Sequence, residues 1–257
     1  MADLLPLGAA NTYKKRLHWL LNQLPTACVL CKTRTQGGAL CGYCQRDWRY
    51  RYEQVRWRCQ RCKVAQLGGV APTSNCCERC HQQPLALQQL AVAFDYMTPL
   101  DSLIWRFKTQ KQLRLAPVLA QMMLFAIQRE GWRLPAQTWV AYIPSRSTAL
   151  HHRGFNPAAE LARYVAKGLG LRLQYGVYGL VDPLEHSAQK HRTQEQRWHY
   201  AQQAFKWQSS HWPTTLLVVD DVLTTGSTLH GAALCAQAQG VSQVYGLAVA
   251  RAPWFFD

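Results

Sequence analysis

From residue 85 onward, short apolar runs alternate with longer stretches of helical period. Leu90–Met97 reads as a strand, and Leu113–Arg129 carries its apolar residues at helical spacing. Trp139–Pro144 reads as a second strand, followed by a loop and a helix over Pro157–Leu169. Thr215–Val222 and Val244–Arg251 are the last two strands, with a helix over Thr228–Gln239 between them. This alternation predicts a parallel α/β sheet with helices on both faces. The segment from Gly170 to Trp212 shows no clear period. Leu17–Leu24, flanked by Lys14, Lys15 and Arg16, predicts a short amphipathic helix within residues 1–25. No apolar run reaches the ~18 residues of a membrane span. No signal-peptide pattern is evident, and a cytoplasmic location is expected.

The most distinctive run is Leu216-Leu217-Val218-Val219-Asp220-Asp221-Val222-Leu223-Thr224-Thr225-Gly226-Ser227-Thr228. Four consecutive apolar residues fit a parallel strand covered on both faces. Asp220 and Asp221 would stand at its carboxyl end, where open α/β sheets bind ligands. Thr224 to Thr228 would turn into a helix N-terminus, whose free N–H groups and partial positive charge hold phosphate. Gly226 lets the backbone approach an anion or adopt positive φ. The unit offers acids for sugar hydroxyls or Mg²⁺ beside a phosphate cradle. In order and spacing it resembles the phosphoribosyl-pyrophosphate (PRPP) motif of type I phosphoribosyltransferases.

Nine of the ten cysteines lie between Cys28 and Cys80. Eight form Cys-x-x-Cys pairs: Cys28/Cys31, Cys41/Cys44, Cys59/Cys62 and Cys77/Cys80. Such a turn brings two thiolates to one Zn²⁺, and two turns complete a tetrahedron. Two structural zincs in a double ribbon over residues 26–84 are expected, ahead of an α/β domain over 85–257. Sequential pairing is the simplest arrangement. A crossed one, or Cys76 in place of Cys77, is compatible with the spacing. Chelation is expected to unfold the cysteine-rich third and leave the α/β domain standing. Cys235 stands alone and reads as a core residue.

Four Cys-x-x-Cys pairs ahead of the PRPP-type motif resemble the ComF/GntX family: a double zinc ribbon joined to a type I phosphoribosyltransferase-like domain. Further stretches fit: Tyr142-Ile143-Pro144-Ser145-Arg146, then Arg153-Gly154-Phe155-Asn156, with Lys108 ahead of a long helix. Gln189, Arg197 and Ala204-Phe205 match scattered positions, whereas Tyr200 stands where the family usually has Asn. The resemblance implies a link between bacterial DNA uptake or utilisation and a PRPP-binding fold. In that fold Asp220 and Asp221 would face the ribose hydroxyls and Mg²⁺, and Thr224, Thr225, Gly226, Ser227 and Thr228 the 5′-phosphate. Ser145, Arg146 and Arg153 would meet the pyrophosphate, and Lys108 would add a point charge. The resemblance leaves three activities in play: a DNA-uptake protein using the PRPP site, a phosphoribosyltransferase with a nucleobase-like acceptor, and a PRPP or nucleotide sensor.

Charge adds a second clue. The net formal charge is +15, and residues 1–90 hold 13 Lys/Arg against 4 Asp/Glu. Arg49, Arg51, Arg56 and Arg58 interleave with Trp48 and Trp57. Basic groups that track a phosphate backbone and aromatic faces that stack on unpaired bases make a single-strand binding surface. Single-stranded DNA is the expected macromolecular partner, with DNA-uptake or recombination proteins as further ones. His151 and His152 are neighbours in a loop and are not expected to ligate metal. The aromatic tail Trp254–Phe256 is expected to pack on the core.

Overall fold

The computed structural model describes residues 25–36, 40–66, 74–181, 198 and 203–253. The expected N-terminal helix, Gln189, Arg197, Tyr200 and the aromatic tail lie outside these residues. The chain forms two compact units, Met1–Arg51 and Tyr52–Asp257. The boundary expected near residue 84 falls inside the larger unit, which holds the second cysteine cluster together with the α/β sheet.

In the smaller unit, strands β1 (Pro25–Ala27) and β2 (Arg34–Gln36) pair antiparallel, and helix α1 (Gly42–Glu53) begins here and ends in the larger unit. Leu40, Cys44 and Trp48 are buried. Trp48 is only 3% exposed, so it is core of this unit and its ring is not free to stack on a base, contrary to the expectation above.

The larger unit is built on a five-stranded parallel sheet in the order β3-β9-β8-β4-β5. The strands are β3 (Gln89–Asp95), β4 (Trp139–Tyr142), β5 (Arg172–Leu173), β8 (Thr215–Leu223) and β9 (Gln243–Arg251). Leu216 to Val219 are fully buried, as a strand covered on both faces requires. The helices are α2 (Glu78–Gln82), α3 (Asp101–Lys108), α4 (Ala116–Arg129), α5 (Ser147–Arg153), α6 (Pro157–Leu169) and α7 (Ser227–Gln237). Helices α4 and α6 pack on each other and on the sheet. The crossover from β8 to β9 through α7 runs opposite in direction to that from β4 to β5 through α6. Right-handed connections running in opposite directions place their helices on opposite faces. A two-stranded antiparallel pair, β6 (Tyr178–Leu180) and β7 (Phe205–Trp207), lies over α7, and the Tyr178 hydroxyl donates to the Ala232 carbonyl at 2.9 Å. These elements fall in the stretch that had no readable period. They are too short, at three residues each, to set up an alternation.

Adjacent strands whose crossovers diverge open a crevice at their carboxyl ends. Here β8 and β4 are that pair, so the crevice lies beside Asp220, Asp221 and the segment after Tyr142.

Candidate functional site

The acidic pair ends the buried part of β8. Asp220 Oδ1 accepts from the Asp221 N–H at 2.8 Å, and Asp221 Oδ1 from the Val222 N–H at 2.6 Å. Burial, with the Asp221 charge beside it, pushes the Asp220 carboxyl up to about 7. Lys108 closes helix α3 and places its Nζ 2.8 Å from Asp221 Oδ2, both side chains largely covered. The expected point charge therefore sits on the acidic pair. Phe107, one residue earlier, meets Phe155 edge-to-face at 5.5 Å, which brings α3 against the Arg153–Asn156 loop.

The glycine-led loop follows. Gly226 is the N-cap of α7 with φ +83°, and an added Cβ would stand 3.1 Å from Leu85 Cδ2. Both observations make a side chain here strained. The Thr225 and Ser227 hydroxyls lie 2.8 Å apart, and Thr225 Oγ1 accepts from the Ser227 N–H at 3.3 Å. Across the crevice, the Ile143 N–H donates to Val219 at 3.0 Å, so β4 reaches the same level as the acids. Asn156 caps α6 through the Ala158 and Ala159 N–H groups and donates to the Ile143 carbonyl at 3.0 Å. That contact locks the loop carrying Arg153 to the end of β4. Ser145 and Arg146 sit between β4 and α5, and Arg153 is the last residue of α5. The topology thus gathers the predicted ligand-binding residues at one end of the sheet.

One residue of this region carried no readable signal in the sequence. Arg251, at the end of β9, is fully buried. Its Nε donates to the Cys62 carbonyl at 2.8 Å, and its Nη1 donates to the carbonyls of Leu223 (3.2 Å), Thr224 and Ala252 (2.8 Å). In sequence it is one more arginine at the end of an apolar strand.

The cysteines pair sequentially. Sγ atoms of Cys28, Cys31, Cys41 and Cys44 lie within 4.8 Å of one another, as do those of Cys59, Cys62, Cys77 and Cys80. Cys31 and Cys41 stand 3.6 Å apart and Cys62 and Cys77 3.7 Å. A tetrahedron with Zn–S of about 2.3 Å has edges of about 3.8 Å, so each cluster could hold a zinc ion. The two sites share one plan. A turn supplies the first pair, and the residue after it, Lys32 or Lys63, takes positive φ (67° and 58°). The second pair lies at the start of a helix, α1 or α2, where the positive end favours thiolate. Backbone N–H groups of Cys62 and Cys77 donate to Cys59 Sγ at 3.4 Å each. Hydrogen bonds from the Cys62, Cys77 and Cys80 thiols hold Cys59 far below the usual thiol range.

The basic stretch does not form one surface. Arg58 makes a two-pronged ion pair with Asp95 (2.8 and 2.7 Å) and lies 3.7 Å over the Tyr52 ring. It is an internal cation and not a phosphate contact, which corrects the expectation. The Trp57 indole N–H donates to the Ser74 carbonyl at 3.0 Å, and its ring is half-buried. Arg49 and Arg51 are exposed on α1, and Arg56 is exposed beyond it. Arg51 pairs with Asp47 at 2.8 Å. On α1 the exposed aromatics are Tyr43 and Tyr50, at 78% and 60%. They are seven residues apart and share a helix face with Arg46, whose guanidinium lies 5.7 Å from the Tyr43 ring centre.

No protein-family model matches the chain. It is 28% identical over 210 residues to DNA utilization protein YhgH of Salmonella typhi, covering 80% of this chain and 88% of that one. YhgH of Escherichia coli K12 is 25% identical over 212 residues, with the same coverage. Competence protein F of Haemophilus influenzae is 25% identical over 229 residues, covering 86% of this chain and 89% of that one. Over most of its length the chain is thus similar to proteins named for DNA utilization and for competence, in line with the ComF/GntX resemblance. Among solved structures, TT1426 from Thermus thermophilus aligns with 55% of this chain and 85% of its own, at TM-score 0.27 and 13% identity, which is too loose to support an argument. No helix among the described residues is long and apolar enough to cross a membrane.

Proposed function

We propose that this chain is a PRPP-binding, zinc-containing protein of DNA uptake or DNA utilisation that contacts single-stranded DNA. The observation that supports the PRPP reading most is the acidic pair with Lys108 beside a glycine-led helix N-terminus, at the crevice between β8 and β4. Asp220 and Asp221 offer hard oxygen donors that would hold Mg²⁺ and the ribose hydroxyls of PRPP. The ion would neutralise the pyrophosphate. The Thr224–Thr228 loop takes the 5′-phosphate through its N–H groups. Ser145, Arg146 and Arg153 take the pyrophosphate. Lys108 holds the Asp221 carboxylate in place until ligand arrives. The same groups would serve a phosphoribosyltransferase or a sensor, since transfer from PRPP needs positioning and charge stabilisation and no protein nucleophile.

The DNA part draws on the names of the relatives and on the exposed face of α1. Tyr43 and Tyr50 offer stacking surfaces, and Arg46, Arg49 and Arg51 offer charge for phosphates. Titration calorimetry of the purified protein with PRPP and with an oligonucleotide, each with and without Mg²⁺, tests the reading. Mg²⁺-dependent PRPP binding that disappears in Asp221→Asn, with the fold retained, supports the site. No binding of PRPP at millimolar ligand would remove the PRPP reading. Release of pyrophosphate on adding a nucleobase would make it a transferase.

A further inference from the structure

We propose that Arg251 is a positioning residue that couples metal occupancy of the Cys59/Cys62/Cys77/Cys80 cluster to the shape of the phosphate loop. The inference rests on the phosphate-binding role assigned above to Thr224–Thr228. One guanidinium joins two places far apart in sequence. Its Nε is bonded to the Cys62 carbonyl, and its Nη2 lies 4.0 Å from Cys62 Sγ. Its Nη1 holds the carbonyls of Leu223, the last residue of β8, and Thr224, the first residue of the turn into α7. In a planar trans peptide the C=O and the following N–H point in opposite directions. Drawing the Leu223 and Thr224 carbonyls onto Arg251 therefore aims the N–H groups of Thr224 and Thr225 away from it. Donors set in this way cost no reorganisation when an anion arrives.

The cluster supplies the other half. Four thiolates around a divalent ion leave a net negative charge against Arg251. The metal also fixes the Cys59–Cys62 turn, whose Cys62 carbonyl is the partner of Nε. With the ion gone, the turn loses its staple. The guanidinium then loses its oriented partner, in a site with no access to water. The Thr224 carbonyl is released with it, while the Leu223 carbonyl keeps the Ala252 N–H at 2.8 Å. The first cluster lies in the smaller unit. Linkage makes the effect reciprocal: what tightens the loop tightens the metal.

Two measurements on the full chain test this. Hydrogen exchange of the peptide spanning Thr224–Thr228 needs no ligand. Its amides should exchange at least tenfold faster in Cys80→Ser and in Arg251→Gln, and at the wild-type rate in Cys31→Ser. Arg251→Lys, which keeps the charge but not the fork, should show an intermediate rate with two zincs still bound. The second measurement uses wild-type protein and survives any folding failure of the variants. The zincs are exchanged for ¹¹³Cd, and the two Cys₄ resonances are followed while PRPP and Mg²⁺ are added. The resonance that Cys31→Ser leaves in place should move, and the other should not. Unchanged loop exchange in a folded Arg251→Gln would overturn the coupling, as would movement of both resonances or of neither with PRPP bound. If calorimetry finds no PRPP binding while loop exchange still follows the second metal, the coupling stands and the phosphate reading falls.

Discussion

Asp220→Asn separates the acid's structural cost from its proposed role in binding. A carboxyl raised from about 3.8 to about 7 binds a proton more tightly when folded than when unfolded. Its neutral form is therefore worth most at low pH, and that stability is lost as pH rises through the folded value. The full shift corresponds to about 4 kcal/mol, most of it spent below pH 6, with about 1.5 kcal/mol falling between pH 6 and pH 8.5. Asparagine keeps the oxygen that accepts from the Asp221 N–H at 2.8 Å and never ionises. The variant should unfold at higher urea than wild type at pH 8.5, by up to about 4 kcal/mol. Its stability should be flatter across pH 6 to 8.5, where the zinc clusters stay loaded. Mg²⁺-dependent PRPP binding should be lost at the same time. Urea titrations of the α/β unit followed by circular dichroism give the first result, and calorimetry the second. An Asp220→Asn protein that is less stable than wild type at pH 8.5, or equally pH-sensitive, would refute the assignment of strain to this carboxyl.

Elemental analysis of protein purified under reducing conditions should find close to two zincs per chain, and disulfides in mass spectra would contradict the Cys₄ reading. Arg58→Ala leaves Asp95 covered and unpaired, so it should cost about 3 kcal/mol in chemical denaturation, with oligonucleotide affinity per folded molecule unchanged. Gly226→Ala should weaken PRPP binding without altering zinc content, because φ of +83° and the 3.1 Å approach to Leu85 both resist a side chain; calorimetry and metal analysis read the two effects separately. Single-stranded DNA should bind better than duplex and weaken steeply with salt, and replacing Arg46, Arg49 and Arg51 by Ala should flatten the salt slope measured by fluorescence anisotropy.

The long elements were legible because they carry strong periods. Pro157–Leu169 is bounded in sequence by Asn156 and Gly170, and these are the caps the structure uses. The acidic pair and its glycine turn were legible because local chemistry forces them to the carboxyl end of one strand. The shape of the basic stretch was not, because burial is a tertiary property. Trp48 and Arg58 have the same composition as a binding surface, yet one fills a small core and the other satisfies Asp95, which lies 37 residues away. Arg251 was hidden for the same reason, since its partners at Cys62 and Thr224 are brought to it only by the fold.

The second cysteine cluster also bears on how this chain can be cut or recombined. Residues 52–84 provide Arg58 for Asp95, Lys63 for Glu130 at 2.6 Å, the Cys62 carbonyl for Arg251, and the Tyr52 ring under Arg129 at 3.4 Å. A fragment starting at residue 85 would strip four ionic side chains of these partners at once and should be insoluble when expressed alone. A lineage that lost this cluster would need to replace Asp95, Glu130, Arg129 and Arg251 in concert. The first cluster belongs to the other compact unit, so graft, deletion and exchange between relatives should be tolerated at the first finger before the second.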